Sequence, residues 1–143
     1  MARYLTAGEK TRRLAEWESL RSQPLPDGDC GGRGYPDPDI FPLCDYLNAL
    51  PGVCTLQSCA GHRSREGLIS SAHLWLKLDR TSARRFKKNA FVLAGDDHIE
   101  RLGLSYMPDE GEVVEIIFKG NERGMLVDSA LPIASFFEDI CHG

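Results

Sequence analysis

The chain of 143 residues predicts an α/β fold of the α+β kind: a small mixed, mainly antiparallel sheet of about four to five strands, with three to four packing helices. Two kinds of observation point there. Some segments repeat apolar residues every three or four positions, and others alternate apolar with polar; the alternating segments come in pairs joined by short connections, which favours hairpins. With 42% hydrophobic and 27% charged residues, the length fits a single domain spanning residues 1–143 with a real core.

The first helix is expected over Thr6 to Arg21, where Leu14, Trp17 and Leu20 lie among Glu9, Lys10, Arg12, Arg13, Glu16 and Glu18. Pro24 ends it by withdrawing a donor and by pushing Gln23 out of the helical region. From Pro24 to Asp39, Pro24, Pro26, Pro36 and Pro38 with Gly28, Gly31, Gly32 and Gly34 imply a loop, and this loop is a candidate lid. Its Cys30-Gly-Gly-Arg-Gly34 stretch would turn backbone amides and Arg33 toward an anion, although a plain connector accounts for the same composition.

A second helix follows from Ile40 to Leu50, with Ile40, Leu43, Leu47 and Leu50 in period, Asp39 as candidate N-cap and Pro51-Gly52 as stop. Val53 to Ser58 alternates as a strand. Ser70 to Asp79 does the same, with Ala72, Leu74, Leu76 and Leu78 facing one way and His73, Trp75 and Lys77 the other. Thr81 to Leu93 reads as a helix with Phe86, Ala90 and Leu93 inward and a basic outer face of Arg84, Arg85, Lys87 and Lys88. Leu102 to Met107 and Val113 to Phe118 form a second hairpin around Pro108-Asp-Glu-Gly111. A last helix runs from about Met125 to Cys141, with Leu126, Ala130, Ile133, Ala134, Phe137 and Ile140 as its stripe and Pro132 starting or kinking its main part.

The net charge of −4 argues against a generic nucleic-acid binder, whose affinity rests on a basic surface. Its distribution is uneven. Residues 1–88 hold 14 Lys/Arg and 10 Asp/Glu, residues 89–143 hold 3 and 11, and the halves therefore carry +4 and −8, so an anionic ligand would meet the first half. No apolar run approaches a membrane span and charge precedes any signal-type segment, so the expectation is a soluble, cytoplasmic protein with no membrane partner. Cys30, Cys44, Cys54, Cys59 and Cys141 are odd in number and contain no Cys-x-x-Cys pair, which favours reduced thiols. Cys59 and His62, with His73 or His142, lack the second close pair of a structural zinc site, so no metal is assigned.

From Asp39 to His62 the chain places Ile40, Pro42, Leu43, Asp45 and Asn48 on a helix and Thr55, Ser58, Cys59 and Gly61 along a strand and its end. This unit resembles the tRNA wybutosine-synthesising protein 3 family of methyltransferases, whose helix pattern Ile-x-Pro-Leu-x-Asp-x-x-Asn leads into Thr-x-Ser-Ser-Cys-Ser-Gly-Arg. Three positions depart: Gln57 and Ala60 replace serines, and His62 replaces the arginine. The last exchanges a permanent forked cation for a group that titrates near neutrality. A second stretch, Ala72 to Ala83, is similar to the family's later Leu-His strand and helix, which would make this chain a shortened, divergent member.

The resemblance implies S-adenosylmethionine (SAM) and a tRNA nucleoside as ligands, and hence a pocket for a nucleotide-like molecule. Thr55, Gln57, Ser58, Cys59 and His62 offer mixed donors and acceptors, Gly61 permits close backbone approach, Arg33 and Arg63 supply cations, Trp75 or Tyr35 offers a stacking surface, and His73 is a further candidate ligand residue. The leading expectation is a non-catalytic binder or sequesterer of a nucleotide-derived signal at Ser58 to His62, commonly a homo-oligomer. The first alternative is a SAM-dependent tRNA-modifying methyltransferase, with RNA as partner. The lower one is a hydrolase with Cys59 as nucleophile and His62 or His73 as base.

Overall fold

The computed structural model describes residues 3–22, 40–59, 62–63, 69–70, 72–119 and 123–142, and only the backbone of Gln57, Cys59, residues 62–63, 69–70 and 123–130. The elements are α1 (Ala7–Arg21), α2 (Phe41–Ala49), β1 (Val53–Cys59), β2 (His62–Arg63), β3 (Ile69–Ser70), β4 (His73–Leu78), α3 (Arg80–Ala94), β5 (Ile99–Met107), β6 (Gly111–Phe118) and α4 (Arg123–His142). The main sheet is antiparallel throughout, in the order β1-β4-β6-β5, and β2 pairs with β3 in a separate ribbon. Both expected hairpins form. The expected fold class is the observed one.

The 24–39 loop and the proposed cap Asp39 lie outside the described residues. Ile40 occupies the capping position of α2 with no side-chain bond, and Pro42 in the first turn needs no donor there. The caps of α1 and α3 are side chains: Thr6 Oγ1 accepts from the Glu9 amide at 3.1 Å, and Asp79 Oδ1 accepts from the Ser82 amide at 2.7 Å. The last helix runs through Pro132 rather than starting there.

One face of the sheet carries the core. Leu74, Leu76, Leu78, Val114, Ile116 and Phe118 pack with Leu43 and Leu47 of α2, Phe86 and Leu93 of α3, and Ile133, Phe137 and Ile140 of α4. Each large apolar side chain taken out of water there contributes about 1.5–3 kcal/mol. Phe86 stacks on Phe137, with ring centroids 6.1 Å apart, and meets Phe136 edge-on, joining α3 to α4.

The opposite face is partly crossed by α1, and by polar chemistry. Trp17 is the buried residue of this helix; it meets Phe41 edge-on and donates to Asp45. Glu9, Lys10 and Arg13, which the helical pattern places on the solvent side, instead reach inward. Lys77, 1% exposed, contacts Glu9 at 2.9 Å and Glu110 at 3.9 Å, while Arg13 binds both Glu9 and Glu110. Lys10 donates to the carbonyls of Asn48 and Val53. The basic face of α3 is likewise partly used: Lys87 pairs with Glu112 at 2.7 Å and Arg85 donates to the Ile140 carbonyl, whereas Arg84 and Lys88 are exposed.

Gly111, with φ of 86°, closes the β5–β6 turn in a conformation that L side chains rarely adopt. An added Cβ would also stand 2.5 Å from the Arg3 carbonyl oxygen. That carbonyl accepts from the Glu112 amide, and the Leu5 amide donates to the Leu78 carbonyl, so the segment before α1 is bonded to β6 and to the end of β4.

Candidate functional site

Cross-strand register decides which side chains share a face. On β4 and β6, Trp75 stands opposite Glu115 and His73 opposite Ile117; on β6 and β5, Glu115 stands opposite Gly103 and Ile117 opposite Arg101. These residues therefore lie on the face away from the helical core. On β1 the register shifts between Thr55 and Gln57, a bulge that turns the strand's alternation over. Past it, the backbone of Gln57 pairs with Trp75 and that of Cys59 with His73, while Ser58 pairs with Leu74 on the core side.

The sequence-derived site residues thus divide. Gln57, Cys59, His73 and Trp75 come together by register. Thr55 and Ser58 turn toward α2: the Thr55 amide donates to Asn48 Oδ1 at 2.8 Å, Asn48 Nδ2 donates to Thr55 Oγ1 at 2.9 Å, and Ser58 hydrogen-bonds the Cys44 thiol. His62 and Arg63 form the β2 strand, paired with Ser70 and Ile69. Arg33 and Gly61 lie outside the described residues, as does Tyr35.

Trp75 and His73 are half-buried, their ring centroids 6.3 Å apart and tilted by 48°. Trp75 Nε1 donates to Glu115 Oε2 at 2.8 Å, which fixes the orientation of the indole. Glu115, Gly103 and Arg101 escaped the sequence reading. A usable signal existed for the first: Glu115 is a lone acid between Val113-Val114 and Ile116-Ile117, a pattern that asks for a specific partner.

The described thiols are poorly suited to nucleophilic work. Burial pushes Cys44 up to about 12, with Asp45 adding to the rise and the Ser58 bond opposing it. Burial pushes Cys54 up to about 11 against the opposing pull of Arg13 and Lys10, and raises Cys141 as well. Among the described residues, no group of three or more His, Cys, Asp or Glu side chains is placed to hold a metal ion. Nor is any described helix long and apolar enough to cross a membrane.

No protein-family model, curated protein or solved structure matches the chain. The site must be read from its own chemistry. It offers an oriented indole, an imidazole, an acid with one oxygen engaged by the protein, and an arginine at the edge strand, all on one sheet surface. Such a surface suits a flat, heteroaromatic molecule carrying hydrogen-bond donors and negative charge.

Proposed function

We propose that this protein binds a nucleotide or nucleotide-derived small molecule on the outer sheet face beside the Ser58 to His62 loop, without converting it. The observation that carries the reading is the Trp75 indole, held by Glu115 and flanked by His73 on the face away from the core. A stacked base gains from such a platform whatever its identity. The resemblance to the wybutosine-synthesising methyltransferases points to the same ligand class, and the replacement of that family's arginine by His62 weighs toward binding rather than inherited catalysis. A cytoplasmic location and a homo-oligomeric assembly belong to this proposal, to be checked by cell fractionation and by light scattering after size exclusion.

Release of small molecules from purified protein by denaturation, followed by mass spectrometry, together with a thermal-shift screen of nucleotides, tests it. At 100 times its dissociation constant a ligand adds about 2.7 kcal/mol of stability. Trp75→Ala should abolish that shift, and the recovered ligand should be chemically unchanged. Absence of any nucleotide-dependent shift or calorimetric signal would sink the reading.

A second reading is favoured by one observation, the cross-strand pairing of Cys59 with His73, an arrangement that a Cys-His hydrolase would use. Turnover lost in Cys59→Ala would decide for it. A methyltransferase on the same face would instead consume SAM and methylate tRNA.

A further inference from the structure

We infer that Gly103 floors a subsite for the sugar-phosphate half of the bound nucleotide, with Arg101 as the phosphate ligand and Glu115 as the acceptor for the sugar hydroxyls. This rests on the nucleotide-binding reading and extends it to an orientation: base toward Trp75, phosphate toward the β5 edge.

Gly103 is a strand glycine without a local cause. Glycine inside a strand weakens it, through lost side-chain packing and extra chain entropy, and is usually found where a bulge, a bend or a close approach requires it. None of these applies to Gly103. The positive φ among described glycines belongs to Gly111, the register irregularity of β5 falls between Ile99 and Arg101, and a Cβ added at Gly103 would meet nothing within 4 Å among the described residues. What the missing side chain creates is a gap in the row Gln57, Trp75, Glu115, Gly103 that runs across the sheet.

The borders of that gap are chemically unlike one another. Glu115 stands beside it with one carboxylate oxygen taken by Trp75 Nε1 and the other unused by any described residue. Arg101, exposed, flanks it along β5 and makes no ion pair or hydrogen bond among the described residues. Ile117 lies beside Arg101, giving the floor an apolar patch. Arg101 and Glu115 are diagonal neighbours on one face, a separation of roughly 7–8 Å that long side chains bridge readily. They nevertheless do not pair, so a cation and an acceptor stand apart on either side of an empty position. One molecule answering both is a nucleotide: its phosphate takes the guanidinium fork, its hydroxyls donate to the carboxylate, and the carboxylate repels a phosphate placed the other way round. Adjacent strands lie about 4.8 Å apart, so a base on Trp75, its sugar over Glu115 and its phosphate at the Gly103 gap beside Arg101 fit the span of two strand spacings.

Calorimetric titration of the full chain with the common ribonucleoside 5′-monophosphates and the corresponding nucleosides tests the assignment, using wild type, Trp75→Ala, Arg101→Ala and Gly103→Leu. Wild type should bind the best monophosphate at least about tenfold more tightly than its nucleoside, a factor worth about 1.4 kcal/mol. Arg101→Ala should erase that preference while leaving nucleoside affinity unchanged. Gly103→Leu should weaken both ligands by more than about tenfold, the scale of a lost charged hydrogen bond, with an unchanged or raised Tm, because leucine suits a strand and finds open space. A monophosphate that binds wild type and fails with Trp75→Ala, yet is indifferent to both β5 variants, overturns this subsite and leaves the proposed function standing. No binding of any monophosphate or nucleoside to wild type overturns both. A short single-stranded RNA binding far more tightly than every monophosphate would show an extended nucleic-acid track and overturn the single-nucleotide subsite.

Discussion

Asn48→Ala should be among the most damaging conservative truncations in the chain, by about 2–4 kcal/mol. Asn48 is 4% exposed, and its amide group makes two bonds to one residue, giving to Thr55 Oγ1 at 2.9 Å and receiving from the Thr55 amide at 2.8 Å. Alanine removes both, each worth about 1 kcal/mol net, and leaves a half-buried backbone amide without its partner, for a further penalty of roughly 1–3 kcal/mol that water access reduces. For a chain of this size 1 kcal/mol moves Tm by about 2–4 °C, so a fall of roughly 5–15 °C is expected. Urea unfolding of Asn48→Ala, Thr55→Val and the double variant gives the measurement. Thr55→Val alone should cost about 1 kcal/mol, and less in the alanine background, because the hydroxyl has already lost its donor. An Asn48→Ala variant within about 0.5 kcal/mol of wild type, or strictly additive effects, would refute the idea that this pair latches α2 to β1.

Three further outcomes follow from the ionisable groups and the turn. Burial raises the pKa of Glu9, but its bonds to Lys77 and Arg13 outweigh this and hold it below the ordinary 4.5, and Glu112 is lowered in the same way by Lys87, Tyr4 and Arg3. A depressed acid binds fewer protons folded than unfolded, so its contribution is complete above 4.5 and is lost as pH falls through the lowered value; Glu9→Gln should flatten the acid limb of a stability-against-pH curve. Cys44 and Cys54 should resist a thiol reagent at pH 8 in the native protein and label on unfolding, as peptide mapping would show. Gly111→Ala should cost at least about 1–2 kcal/mol in chemical denaturation, since positive φ and the approach of Arg3 both oppose a Cβ.

Strand alternation was legible wherever one face met the core: Ala72, Leu74, Leu76 and Leu78 are all buried on the side that the pattern assigns them. It failed at β1 for a physical reason. Simple alternation puts Thr55, Gln57 and Cys59 together, whereas across the bulge Thr55 pairs with Leu76 of the core row, and Gln57 and Cys59 pair with Trp75 and His73. A bulge is a feature of pairing between strands, and one strand's sequence does not contain it. The polarity of α1 misled in a similar way, because Glu9, Lys10 and Arg13 find distant partners in Lys77, Glu110 and the carbonyls of Asn48 and Val53. Of the candidate site, His73 and Trp75 were readable as outward-facing, whereas Arg101 and Gly103 acquire meaning only when β5 is laid beside β6. Thr55 and Ser58, read as ligand groups from the motif, bond to α2, which gives the motif's Asn48 and Thr55 an architectural use.

The way α1 is attached also bears on which part of the molecule opens first. A helix that buries one side chain, Trp17, and is otherwise held largely through Glu9, Lys10, Arg13 and Arg21 has little apolar area resisting its release. Its amides should exchange with deuterium ahead of those in β4 and β6, through a sub-global opening that leaves the rest of the core folded. Release of α1 would take Glu9 from Lys77 and Arg13 from Glu110, one row along the sheet from Trp75, coupling the electrostatic potential over that face to the docking of a helix far from it in the chain.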